Sequence, residues 1–455
     1  MLFESFLASV GVDPVGALRA AWESRKDRPR LKQRLAELSQ LSVDRLPVNQ
    51  DVLNYALAAQ KEGREVVLAS GSDKHLVQAL AERLGFPGQH LGSETGLNLT
   101  GRNKASVLVE RYGERGFDYV GNAEIDLDVW AHARTAIAVA PAKSVERKLS
   151  GREGPVELLG RRWSARDLIK ALRPHQWVKN VLLLLPLFAA HRLDFIGFER
   201  VLLAIVAFSM AASSIYIVND LLDLDADRQH ERKHKRPFAA GDVPIQVGMF
   251  TSLLLGSAAL IIALIVDWKM LALVAVYMSL SLAYSIYLKR QRWIDIWVLA
   301  ILYTLRVIAG AVAGSVAATG WLIAFVFPVS MALGCVKRMT EVARVKHENR
   351  LPERAYAKGD RGDLLNMSVL CAFNANIIFL AYTYSETAYT LYAGIWELRW
   401  VVIPLTAWLY RMIWTGWAGK QNYDPIVFAM RDRIGLSLAI VVVLGLYNAA
   451  ALAGI

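Results

Sequence analysis

The chain has 455 residues, a hydrophobic content of 55%, 13 Trp and a formal charge of +11, enough for a soluble domain followed by a sizeable membrane region. Nucleic-acid binding is set aside, because the basic residues cluster between long apolar stretches, as the loops of an integral membrane protein do. With two cysteines only, Cys335 and Cys371, both inside apolar segments, there is neither a disulfide framework nor a cysteine metal site.

Residues 1–150 alternate polar and apolar positions like a soluble α/β domain rather than opening with a signal peptide. Residues 1–60 read as charged helix. Glu65–Ala69, Asp118–Val120 and Thr135–Val139 read as strands, the first followed by Ser70-Gly71-Ser72-Asp73 and a helix through Leu84-Gly85. Strands alternating with helices predict a parallel sheet. A polar, glycine-containing stretch over residues 151–164 reads as the linker to a membrane domain over 165–455.

From about residue 178 the apolar segments reach roughly 20 residues, the length that crosses a bilayer. Nine are expected: 180–194, 199–222, 245–266, 269–289, 294–313, 320–338, 364–384, 399–417 and 433–453. Arg228 to Arg236, Lys289 with Arg290 and Arg292, Lys337 through Arg361, and Lys420 with Arg431 follow alternate spans. The positive-inside rule then puts the N-terminus in the cytoplasm of an inner (plasma) membrane protein and the C-terminus outside.

At the inner end of the second predicted span stands Asn219-Asp220-Leu221-Leu222-Asp223-Leu224-Asp225-Ala226-Asp227. Acids beside a bilayer are costly unless a cation holds them. Asn219, Asp223 and Asp227 recur every four residues, one face of a helix, and such hard oxygen donors suit Mg²⁺ carrying a substrate's phosphates. Arg228, Arg232, Lys233, Lys235 and Arg236 add positive charge for an anionic substrate. Tyr284, Lys289, Asp295, Lys337, Arg338 and Glu341 should converge on the same cytoplasmic face. Arg306 lies about 16 Å deeper by helical rise. It would face a phosphate or pair with an acid on a neighbouring span. Lys289, Arg290, Lys337 and Arg338 read equally well as positive-inside anchors, and His175, His230 and His234 as hydrogen-bonding or surface groups.

The ordered set resembles the UbiA superfamily of nine-span, Mg²⁺-dependent transferases, and within it the decaprenyl-phosphate phosphoribosyltransferases. The resemblance rests on the row Asn219 to Asp227, on Leu172-Arg173-Pro174-His175-Gln176-Trp177-Val178-Lys179-Asn180, on His230, Lys233 and Arg236-Pro237, on Tyr284-Ser285 with Lys289, on Leu305-Arg306 with Ala309-Gly310-Ala311, and on Lys337-Arg338 with Glu341. Glu231 departs from the proline expected there. The likeness implies an all-α membrane bundle that moves 5-phosphoribose from phosphoribosyl pyrophosphate (PRPP) to a polyprenyl phosphate. Asn219, Asp223 and Asp227 would bind Mg²⁺ with Asp220 close by, and Asp223, Asp227, Lys289 and Asp295 would serve catalysis. Lys233, Arg236 and Lys289 would bind donor phosphates, Lys179 and Arg306 the lipid phosphate, with Arg228, Tyr284, Lys337, Arg338 and Glu341 also lining the substrates. The alternative is an aromatic prenyltransferase using a polyprenyl diphosphate. Self-association as a homo-oligomer stays open.

The N-terminal part resembles the haloacid dehalogenase (HAD) phosphatase fold: Ser70 in VVLASGSD, Lys104 in GRNKASVL, and Gly121-Asn122-Ala123-Glu124-Ile125-Asp126, where Asn122 replaces an expected aspartate. The nucleophilic first motif is absent, so no phosphatase activity is expected of the sequence as it stands. An upstream start would change that, and a phosphatase there could remove the 5-phosphate left on the lipid-linked ribose.

Overall fold

The computed structural model describes residues 2–24, 28–39, 43–94, 97–160, 162–192, 194–230, 233–344, 354–421 and 424–451. Glu231 and Arg232, and part of the basic stretch after Lys337, lie outside them. Seven helices among the described residues are long and apolar enough to cross a membrane: Phe195–Leu222, Ile245–Val266, Trp268–Ile286, Ile294–Ala313, Gly320–Ala343, Lys358–Tyr382 and Arg433–Ala450. Ile245–Val266 is the most apolar, with mean hydropathy 2.5, yet only 28% of its window is buried inside the protein. A surface of that kind, carrying exposed Phe250, Leu253, Ile261 and Ile265, is stable against lipid and not against water.

Two of the nine expected spans fall short of that length. The segment 180–194 becomes a 3₁₀ helix, Pro174–Leu184, followed by the five-residue helix Leu185–Ala189 with Pro186 in its first turn. Proline suits a helix start and not its interior, so the apolar run is split. The segment 399–417 divides into Ile395–Trp400 and the 16-residue helix Val402–Trp417.

The chain separates into two compact units, Met1–Leu172 with Ile217–Phe250, and Arg173–Tyr216 with Thr251–Ile455. In the second, the core gathers Leu183, Leu187, Ala204, Ala207, Ala211, Ala259, Ala263, Ala309 and Ala313 around Phe208 and Tyr277. Small side chains let helices approach closely where lipid supplies no hydrophobic drive. Gly310 is the extreme case, since a Cβ there would sit 2.0 Å from the Leu183 carbonyl oxygen. Gly310→Ala must push the 3₁₀ segment off its helix, at a cost of about 1–3 kcal/mol. Thermal unfolding in detergent micelles should show the loss.

Among the described residues of the first unit, five short strands run parallel. Strands β1 (Ala69–Asp73) and β2 (Leu91–Ser93) pair, while β3 (Tyr119–Gly121), β4 (Ala136–Val139) and β5 (Val156–Leu159) form a second sheet in that order. The first strand forms over Ala69–Asp73, later than the apolar run Glu65–Ala69 suggests. Leu68 still accepts a bond from Leu91 N, 2.8 Å away, at the start of that pairing. The predicted linker is not wholly irregular, because Val156–Leu159 adds an edge strand to β4. Helices Lys74–Arg83 and Arg102–Tyr112 follow β1 and β2. Trp130 is fully buried and donates Nε1–H to the Tyr119 carbonyl at 3.0 Å, tying core to sheet.

Candidate functional site

The acidic row sits where the helix Phe195–Leu222 breaks. Asp223, with φ −92° and ψ 13°, interrupts it, and a short helix resumes over Leu224–Gln229. The four-residue ladder survives the break: Asp223 N bonds Asn219 O at 2.9 Å and Asp227 N bonds Asp223 O at 2.8 Å. The spacing that predicted one face is therefore kept on successive turns.

Arg236 Nη1 bridges two carboxylates, 3.1 Å from Asp220 Oδ1 and 2.5 Å from Asp227 Oδ2, and Lys233 Nζ lies 3.7 Å from Asp227 Oδ1. Both aspartates are almost fully buried. Burial lifts the Asp227 carboxyl above its ordinary range, outweighing the neighbouring Arg236. Lys233 and Arg236, predicted to meet donor phosphates, here meet the carboxylates. Arg228, likewise predicted to line the substrates, is instead held by Glu4 at 2.9 and 3.1 Å and by Asp225 at 3.5 Å.

Among the described residues no three histidines, cysteines or carboxylates cluster closely enough to hold a metal. The donor chemistry nevertheless suits a hard cation. The buried Asn219 Oδ1 and Asp227 Oδ1 accept no hydrogen bond, and a guanidinium already occupies the cationic position between Asp220 and Asp227.

In the second unit Asp295, with no exposed side-chain surface, receives Arg338 Nε at 2.5 Å and Nη2 at 3.0 Å, Tyr284 Oη at 2.8 Å and Arg354 Nη1 at 3.0 Å. Arg338 is equally buried and also reaches Glu341 at 2.5 Å. This network joins the starts and ends of three helices. Asp295 and Arg338, expected as a catalytic and a substrate-lining group, are thus brought together as a buried ion pair. Lys289 is buried in the 3₁₀ turn Leu288–Arg290.

A second polar centre surrounds a residue the sequence reading missed, Asp424. Its carboxylate takes Lys179 Nζ at 2.8 Å, Lys337 Nζ at 3.1 Å and Tyr303 Oη at 3.2 Å. Burial works to raise its pKa, but the two ammonium groups hold it far below the ordinary carboxylate range. A depressed value stabilises the fold above the unfolded aspartate pKa near 4, and that stability is lost as pH falls through the folded value. Asp424→Asn leaves two ammonium groups facing a neutral amide and should cost about 1–3 kcal/mol, read by thermal unfolding at neutral pH. Among the described residues Arg306 is not paired with an acid. It donates to Asn180 Oδ1 at 3.0 Å, to the Leu302 carbonyl at 2.7 Å and to Tyr277 Oη at 2.9 Å.

In the α/β part, Lys104, Tyr119 and Asp126 form a buried chain. Lys104 Nζ lies 2.8 Å from Tyr119 Oη, which donates to Asp126 Oδ1 at 3.0 Å. Asp126 Oδ2 accepts the backbone N–H groups of Asn122 and Ala123, both at 3.0 Å. Burial lowers the Lys104 pKa and raises that of Tyr119. Ser70 Oγ accepts from Ser72 N at 3.2 Å, a local turn contact.

The sequence profile of the UbiA prenyltransferase family matches residues 181–431, more than half of the chain. The chain belongs to the UbiA prenyltransferase family. Its members are membrane-bound transferases, in keeping with the seven apolar helices. A Sinorhizobium fredii protein, described as uncharacterized protein y4nM, is 32% identical over 95% of this chain and 84% of its own length. The decaprenyl-phosphate phosphoribosyltransferase of Mycobacterium tuberculosis is 33% identical over 60% of this UbiA-family chain and 90% of its own. Among solved structures, a UbiA homolog from Archaeoglobus fulgidus bound to GPP and Mg²⁺ aligns with a TM-score of 0.47 at 15% identity, covering 63% of this chain and 99% of that one.

Proposed function

We propose that this UbiA-family chain transfers 5-phosphoribose from PRPP to a polyprenyl phosphate. The observation that carries the reading is 33% identity along 90% of the mycobacterial decaprenyl-phosphate phosphoribosyltransferase. The bond between ribose C1 and the pyrophosphate oxygen breaks, a phosphate oxygen of the lipid bonds to C1, and pyrophosphate departs with the bonding pair. The lipid phosphate is already anionic, so the nucleophile needs no strong base.

Asn219, Asp220, Asp223 and Asp227 are assigned to Mg²⁺, which when bound neutralises charge on the departing pyrophosphate. Asn219 Oδ1 and Asp227 Oδ1, buried without a hydrogen bond, support that assignment. Lys233, Arg236 and Lys289 are assigned to donor phosphates. Arg236 would exchange its carboxylates for phosphate oxygens, a charge-assisted swap of like partners. Lys179, Arg306 and Lys337 are assigned to the lipid phosphate, with Asp424 gathering the two lysines before substrate arrives. The chemistry is placed on the cytoplasmic face of the inner membrane, following the loop charge. The N-terminal part is read as a HAD-like domain carrying Ser70, Lys104, Asn122 and Asp126 without a nucleophilic aspartate, and no phosphatase activity is assigned to it.

Membranes containing the protein, Mg²⁺, radiolabelled PRPP and polyprenyl phosphate should yield labelled lipid. A parallel mixture of a polyprenyl diphosphate with 4-hydroxybenzoate should yield none. The opposite pattern would assign an aromatic prenyltransferase instead.

A further inference from the structure

The helix Leu224–Gln229 carries Asp225, Asp227 and Arg228, and it is too short to hold itself. Six residues between a break at Asp223 and an extended His230 add little helix stability of their own, and two backbone bonds, Asp223 N to Asn219 O and Asp227 N to Asp223 O, link them to the preceding helix. It needs anchors from outside, and two are present. At Asp227, Arg236 ties it to Asp220, with Lys233 beside the same carboxylate. The other anchor comes from the first described helix of the chain, Leu2–Val12: Glu4 grips Arg228 with both oxygens, at 2.9 and 3.1 Å, across 224 positions of sequence. The two side chains are only 7% and 14% exposed, so salt screens the pair little.

A second contact has the same origin. The 3₁₀ turn Val43–Arg45 lies beside this helix, held by Arg83 Nη1, which donates to the Val43 and Leu46 carbonyls at 2.6 and 3.1 Å. A cavity of about 290 Å³ separates Asp44, Pro47 and Arg83 from Arg228, His234 and Ala239. Residues well over a hundred positions upstream of the acidic row thus wall the loop that bears it.

We propose that Glu4 is a positioning residue for the transferase: by fixing Arg228 it holds the turn that presents Asp223 and Asp227, so the N-terminal part of the chain sets the geometry of the donor-binding loop. Arg228 is then a strut, and its charge is spent inside the protein. The kinetic consequence rests on the function proposed above, whereas the structural one does not.

Hydrogen exchange on the full-length protein in detergent micelles separates the two, comparing wild type with Glu4→Gln, Glu4→Asp and Arg228→Lys. Glu4→Gln, which removes one charge of a largely buried pair, and Arg228→Lys, which keeps the charge but loses the planar fork that meets both Glu4 oxygens, should speed exchange over residues 223–230 by about tenfold, with the spans unchanged. Glu4→Asp, which keeps the charge, should retain most of the protection. In the transfer assay the same two variants should raise the PRPP KM about tenfold with kcat within about twofold, the signature of a misplaced binding loop. Altered exchange together with no PRPP turnover, even in wild type, would reject the functional reading and leave the strut standing. Exchange over 223–230 equal in wild type and Glu4→Gln would overturn the strut itself.

Discussion

Asp223→Ala is expected to lower transfer by about a hundred- to a thousandfold, the loss seen when one preorganised group facing developing charge is removed. Unfolding should shift little, because the backbone bonds at the helix break survive the substitution. Asp223 N bonds Asn219 O and Asp223 O accepts from Asp227 N, and the side chain makes no capping bond to the helix Leu224–Gln229. Alanine preserves both backbone bonds and favours helix. Asp227 would be a poorer probe, because its buried carboxylate also holds Arg236 and Lys233, so its loss mixes chemistry with packing. The assay is turnover against Mg²⁺ concentration, alongside a melting curve. A near-normal rate at saturating Mg²⁺ would remove Asp223 from the metal.

What the sequence could reveal followed the range of each interaction. Seven spans were readable because hydropathy is a local property, summed over one window. The two that fell short were split by features with a local cause, Pro186 in one and the boundary near Val401 in the other. The row Asn219, Asp223, Asp227 was readable for the same reason, a four-residue recurrence on one helix. Asp424 offered no such signal. Its partners Lys179 and Lys337 are 245 and 87 positions away, and an isolated aspartate before a proline reads only as a turn. Glu4 and Arg354 were hidden likewise, since their partners lie 224 and 59 positions off. Strand β5 was lost in a polar stretch because four residues, three of them exposed, make a faint pattern until β4 lies beside them. Asp295 shows a related limit. An acid at a helix start between basic loops resembles a catalytic group, and only the packing reveals its partners.

That packing makes Asp295→Ala the largest stability change expected of this chain. The substitution leaves Arg338 fully buried with Glu341 as its remaining acid, and removes the acceptor for Arg354 and Tyr284 as well. Breaking a buried pair by deleting one partner costs about 3–5 kcal/mol, because the surviving charge stays desolvated. Deleting both charges avoids that penalty, so Asp295→Leu combined with Arg338→Met should be more stable than Asp295→Ala alone, although it is the more heavily altered protein. Denaturant unfolding of the three proteins in micelles measures the difference. A catalytic Asp295 would behave otherwise, with turnover lost in both variants and stability near wild type in Asp295→Ala. The two outcomes are opposite in the quantity measured, which makes this pair of variants the test of whether the cluster holds the helix ends together or takes part in the reaction.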